Sequence, residues 1–226
     1  VSVTIRLVNL TGQDAHVWLE PALDIYVTAM NYPQGTEVHR ASLWREHIAR
    51  PGWRAVGAVA EIPPQDAWNS PAARRRLGPP ITRADNEVLI GIAYGYTGAG
   101  DQWWNQQLRL GLRHTGRPAD YIDAVTRNYF ELTELHVHPS AQGRGVGQLL
   151  LNRLLAGRTE QQVLLSTPEI PDEGNRAWAL YRRMGFGDVL RNFTFTGDPR
   201  PFAFLGRRLP LAGEAPTGAA SGTSPR

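Results

Sequence analysis

A single α/β domain, with helices layered on a sheet, is the fold class predicted for this 226-residue chain. Three observations predict it. Segments that alternate in polarity and segments with helical periodicity succeed one another along the chain. The length suits one domain, since domains of roughly 100–200 residues are usual, and 42% hydrophobic with 20% charged residues supplies a packed core. A glycine-rich turn from Pro139 to Gly147 joins a β-rich segment to an amphipathic one.

Val3 to Val8 alternates and is β-rich, which predicts a first strand; Gln13 to Met30 and Thr36 to Ile48 read as helices. Trp53 to Ala60 predicts a second strand. Pro63, Pro64, Pro71, Pro79 and Pro80 donate no ladder hydrogen bonds and predict a long exposed loop. Glu87 to Thr97 resumes β character. Residues 98–127 then interrupt the succession with a Trp-bearing stretch, Asp101 to His114, and a short helix-like piece from Pro118, and read as an inserted segment. Tyr129 to Val137, β-branched and aromatic and ended by Pro139, predicts a strand; Val146 to Leu155 predicts an amphipathic helix closed by Gly157. Val163 to Ser166 is a short strand, and Asn175 to Met184 a helix stopped by Gly185. Val189 to Phe195 and Phe202 to Arg207 flank Gly197, Asp198 and Pro199 as a hairpin. From Pro210 onward, Gly, Ala, Pro, Ser and Thr give too little apolar surface to offset ordering entropy, so residues 210–226 are expected to be a disordered tail.

Composition removes several function classes. No run of about 18 apolar residues exists and the first ten residues alternate, so neither a membrane span nor a signal peptide is expected. The absence of cysteine excludes disulfides, thiolate zinc sites and an acyl-cysteine intermediate, and points to the cytoplasm. Every basic side chain is arginine and the net charge is only +3. The arginines are scattered apart from Arg74 to Arg76, which read as a solvated loop face, so no nucleic-acid partner is expected.

The segment from His136 to Gly147 is strand, tight turn, then helix. Gly143, Gly145 and Gly147 permit backbone paths and close approaches that a Cβ would block, so consecutive amides can converge on one point. At a helix N-terminus, where the dipole adds about half a positive charge, such amides form an anion nest suited to a diphosphate. No Gly-Lys-Ser/Thr follows, and Leu150 stands where a dinucleotide fingerprint needs its third glycine, so both of those nucleotide readings fail.

Leu135 to Pro139 leading into Gln142-Gly143-Arg144-Gly145-Val146-Gly147 resembles the Q/R-x-x-G-x-G/A motif of the GNAT superfamily. Asn175 to Phe186, with its Leu180-Tyr181 pair and closing Gly185-Phe186, is similar to that superfamily's later helix. The resemblance covers Val3 to Arg207 in element order. It implies one domain over residues 1–209 with a mixed, mostly antiparallel central sheet flanked by helices, residues 98–127 lying on the substrate side. It implies acetyl-CoA, or another acyl-CoA, as co-substrate. Its diphosphate would lie on the amides of Gln142, Gly143, Arg144, Gly145, Val146 and Gly147, with Gln148 beyond them, and its pantetheine beside Leu135, His136 and Val137. A backbone N–H of that strand would stabilise the oxyanion. Asn175 is placed either to bind the coenzyme or to cap its helix.

An acceptor amine is mostly ammonium at neutral pH and must lose a proton to a positioned base before it attacks a thioester. Glu131 and Glu134 both lie on the strand before the turn, and a desolvated Glu has its pKa raised, which suits a base. The spacing from Gln142 back to Glu131 looks like the family's spacing to its strand glutamate, which puts Glu131 first. Simple alternation sends Glu134 and His136 to the other face; a bulge, common there in the family, would reverse this. Tyr181 is, by resemblance, the acid that protonates the leaving thiolate; a buried tyrosine with a satisfied hydroxyl is the alternative. His136 and His138 share a strand face but find no third ligand at suitable spacing, so no metal is expected. Asp101, Trp103 and Trp104 either wall an amine pocket or pack the inserted segment onto the domain.

The expected activity is therefore direct transfer of an acetyl group to a primary amine, a protein lysine or a small molecule, in a ternary complex. A non-catalytic acyl-CoA sensor on the same fold is the alternative, and a homodimer is compatible with either.

Overall fold

The computed structural model describes residues 4–61 and 87–211. Residues 1–3, the proline-rich stretch from Pro63 to Pro80 with its Arg74 to Arg76 run, and residues 212–226 lie outside the described residues. In chain order the elements are β1 (Ile5–Leu10), α1 (Ala15–Met30), α2 (Thr36–Ile48), β2 (Arg54–Glu61), β3 (Glu87–Thr97), α3 (Trp103–His114), α4 (Ala119–Thr126), β4 (Tyr129–Val137), α5 (Val146–Leu155), β5 (Gln162–Pro168), α6 (Arg176–Arg183), β6 (Gly187–Thr194) and β7 (Pro201–Arg208).

β3 and β4 have the predicted bounds. β1 runs two residues further than its alternation suggests, because Leu10 pairs with Ala55 and is buried. β5 is longer at both ends, since β7 pairs along it from Gln162 opposite Arg208 to Pro168 opposite Phe202. Pro210 and Leu211, assigned to the tail by composition, are described, and Leu211 packs into the core.

Among the described residues the strands form one seven-stranded sheet in the order β1-β2-β3-β4-β5-β7-β6. Every pairing is antiparallel except β4 with β5, so the mixed, mostly antiparallel sheet is present. The parallel pair extends only from Tyr129 opposite Gln162 to Glu131 opposite Leu164. Beyond those residues the two strands part.

Helices cover both faces. On one face α1 and α2 bury Trp18, Leu23, Ile25 and Trp44 against Val59, Ile92 and Tyr94. On the same face α3 and α4 bury Trp104, Leu108 and Ile122 against Tyr129, Leu164 and Phe204. On the opposite face α5 and α6 pack Leu150, Leu154 and Trp178 over a continuous cluster reaching from Val56 of β2 to Leu205 of β7.

Within β4 the ladder to β3 slips: Tyr94 opposes Glu134, Gly95 opposes Leu132, and Thr133 is the extra residue. This β-bulge shifts the phase of the strand. Phe130, Leu132, Leu135 and Val137 consequently pack toward α5 and α6, while Glu131 and Glu134 lie opposite Tyr96 and Tyr94 on the other face.

Candidate active site

The turn between β4 and α5 is built as its glycines require. Gly143 and Gly145 both have φ of 78°, and a Cβ at either would meet nothing within 4 Å. Conformation, not packing, therefore calls for glycine there. Gly147 differs: a Cβ would come within 3.1 Å of Leu180, so this glycine lets α5 and α6 approach. Gln142 braces the turn, donating from Nε2 to the Val137 carbonyl at 3.0 Å and accepting at Oε1 from Arg176 at 2.8 Å. The amides of Val146, Gly147 and Gln148 open α5 and have no intrahelical acceptors.

These amides border an open cleft of about 300 Å³. Leu135 and Val137 of β4 form one wall and Leu180 and Tyr181 of α6 another, with Gln142, Gly143, Gly145, Val146, Gly147 and Gln148 along the turn. The cleft thus brings together most of the residues singled out for a coenzyme. Arg144, His136 and Asn175 do not line it. His136 lies on the opposite face of β4, its ring edge-on to Tyr26 at 5.0 Å. Asn175 caps α6, its Oδ1 accepting from the Trp178 amide at 2.9 Å, so of its two readings the cap is the one observed. Arg176 and Arg183 line the cleft and were missed from sequence. They sit seven residues apart, on one side of α6, and that spacing was the available signal.

Where β4 and β5 part, the β5-facing edge of β4 beyond Glu131 has no strand partner among the described residues. Of its backbone groups the Val137 carbonyl is taken by Gln142, and the others have no strand to pair with along the path from the turn toward Glu131.

Glu131 is 3% exposed, and burial pushes its carboxyl up to about 7. The Tyr96 hydroxyl donates to Oε1 at 2.9 Å, while the buried Oε2 has no hydrogen-bond partner among the described residues. Glu134, contrary to simple alternation, shares the face of Glu131 because of the bulge at Thr133. Its environment is different. Burial opposes its charge, but His136, bonded at 2.6 Å, together with the Arg40 charge, holds its carboxyl below the ordinary value. The two strand acids are driven in opposite directions, the pattern that separates a proton acceptor near neutrality from a fixed anion.

Tyr181 is 8% exposed; burial first, and then the Glu134 charge, raise its phenol, which stays protonated through the neutral range. His138 bonds Ser140 at 2.8 Å at the start of the turn. Among the described residues no group of three or more His, Asp or Glu is placed to hold a metal ion. Trp104 is in the core, its indole N–H donating to Ser166 at 3.0 Å, which is the packing alternative. Trp103 stays 53% exposed and stacks on Phe195 of the β6–β7 connection at 5.3 Å. Asp101 is exposed.

Residues 106–187 match the family described as acetyltransferase (GNAT) domain. The chain is 52% identical over 209 residues to the GCN5-like protein acetyltransferase Rv2170 of Mycobacterium tuberculosis, covering 92% of this chain and 100% of that protein. Among solved structures it is similar to Arabidopsis thaliana NAA60 in complex with a bisubstrate analogue (TM-score 0.53, 15% identity, 92% of this chain and 100% of that one). It is also similar to an acetyltransferase from Thermus thermophilus (TM-score 0.51, 15% identity, 91% and 97%). At such identities the two structures speak for the fold alone.

Proposed function

The chain belongs to the GNAT family of acetyltransferases, and from that premise we propose that it moves an acetyl group from acetyl-CoA directly onto a primary amine while both reactants are bound. The observation that carries this reading is Glu131, a buried carboxylate with one unpartnered oxygen, placed where β4 and β5 separate. A group of that kind, poised near neutrality, is what an ammonium acceptor needs.

The cradle fits the coenzyme: positive-φ glycines with open space above them, helix-start amides, and an apolar strand edge leading away. Acetyl-CoA bound there supplies the acyl carbon and a sulfur leaving group. The amides of Gly143, Gly145, Val146, Gly147 and Gln148, which border the cleft, hold its diphosphate, and Leu135 and Val137 flank its pantetheine. Free backbone N–H groups of β4 hold the carbonyl oxygen as charge develops on it. Glu131 takes one proton from the acceptor ammonium. As the nitrogen–carbon bond forms and the carbon–sulfur bond breaks, the Tyr181 hydroxyl protonates the sulfur, and the second nitrogen proton replaces the one Tyr181 gave.

The name of the 52%-identical relative, a protein acetyltransferase, favours an amine borne by a protein. Because the chain has no lysine, that amine is not one of its own lysine side chains.

Thiol release over a panel of amines, peptides and proteins tests the reading. Wild-type protein should consume acetyl-CoA saturably, and Glu131→Gln and Tyr181→Phe should each lower kcat by about 10²-fold or more. Unchanged single-turnover acetylation in the double variant would refute the mechanism. Coenzyme binding with no thiol released to any acceptor would leave a binding module in place of an enzyme.

A further inference from the structure

Tyr96 lies outside both sequence motifs, yet the ladder sets it directly opposite Glu131. We propose that Tyr96 is a positioning residue for the transfer: it fixes the Glu131 carboxylate by Oε1 and thereby leaves Oε2 as the oxygen presented to the acceptor amine. This rests on the reading of Glu131 as the base.

Three observations converge on it. The Tyr96 hydroxyl donates to Oε1 at 2.9 Å, and the buried Oε2 has no partner among the described residues. A buried polar atom left unsatisfied is costly and calls for an explanation, and an acceptor amine would supply Oε2 with its partner. The bond therefore divides the carboxylate into a held oxygen and a free one. Next, Tyr96 is itself clamped. The Arg50 guanidinium lies 4.5 Å from its ring centroid and the His47 ring 5.2 Å away, with His47 in turn bonded to the Tyr94 hydroxyl at 2.9 Å. A cation against the ring face fixes the phenol in place. Finally, the bulge at Thr133 maintains the register that brings Tyr96 and Glu131 together.

The charged and titratable groups around Glu131 act consistently with this role. From β3, Tyr96 stabilises the carboxylate, as does Arg50 just beyond the end of α2; Glu134 on β4 opposes it but is held by His136 and Arg40. Tyr129 on β4 is engaged by Asn105 of α3 at 3.0 Å. His47 on α2, lowered to about 4 chiefly by burial, is neutral at working pH. Tyr96 stays protonated, since burial and the Glu131 charge both raise it. It is thus a permanent donor that favours the ionised base.

The test is the pH dependence of kcat/KM for a protein or peptide acceptor at saturating acetyl-CoA. In Tyr96→Phe the acidic limb should move up by about one pH unit, the worth of a hydrogen bond to a charged group, with the KM for acetyl-CoA unchanged. Arg50→Gln should move it the same way by less. Acidic limbs that superimpose on wild type in both variants overturn the proposal. Should Tyr96→Phe fail to fold, judged by circular dichroism and acetyl-CoA binding, the Arg50→Gln limb decides alone. Glu131→Gln separates the two levels. If it keeps wild-type kcat/KM, the base reading falls and this proposal with it. If it is inactive while the Tyr96→Phe limb stays put, only the positioning role is lost.

Discussion

Replacing Glu131 with Gln removes a group that the folded protein pays for in stability. An isolated glutamate ionises near 4.5, whereas burial holds this one up to about 7, so at pH 8 the folded state carries a charge it disfavours. The folded protein binds the proton more tightly than the unfolded chain between those values, and stability therefore declines as pH rises through that window. Above it the full penalty is about 3 kcal/mol; at pH 5 it is under about 1 kcal/mol. Glu131→Gln has no such penalty, so at pH 8 it should be more stable than wild type by up to about 3 kcal/mol, or about 6–12 °C in Tm for a chain of this size. Most of that gain should be gone at pH 5. Urea denaturation of both proteins at pH 5 and pH 8 reads the difference directly. A variant no more stable than wild type at pH 8, or a difference equal at both pH values, would refute the claim that burial raises this carboxyl.

Two further outcomes follow from the cradle and the helix beside it. Gly145→Ala places a side chain at φ 78°, a left-handed backbone that costs an L-residue about 1–2 kcal/mol, so the KM for acetyl-CoA should rise about tenfold or more with kcat at saturation changed little; steady-state kinetics check this. Asn175→Ala should cost about 1 kcal/mol of stability through the lost cap and leave acetyl-CoA affinity by calorimetry unchanged, whereas a tenfold loss of affinity would return Asn175 to the coenzyme.

The glycine turn was legible from sequence because its requirements are local: positive φ at Gly143 and Gly145, helix-start amides and a strand before them need only neighbours in the chain. β4 was legible for the same reason, its run of β-branched and aromatic residues meeting Pro139. The phase of β4 was not. Alternation gives the wrong face for Glu134, and only pairing with β3 reveals that Thr133 is bulged out. Tyr96, Arg50 and His47 were invisible as site residues because they arrive from β3, the α2–β2 connection and α2, brought to Glu131 by register and layer packing. Trp103 and Trp104, adjacent and chemically alike, have opposite fates, one on the surface and one in the core, decided by the rotation of α3 over the sheet.

The two helix pairs over the front of the sheet build separate cores that share no residue, while the back is covered by one uninterrupted core. The front consequently has a seam, and Glu131 with Tyr96 lies along it. The cradle belongs to the back layer, so the two halves of the site are built on different cores. A substitution in either front pair is therefore expected to alter acceptor use before it alters coenzyme binding.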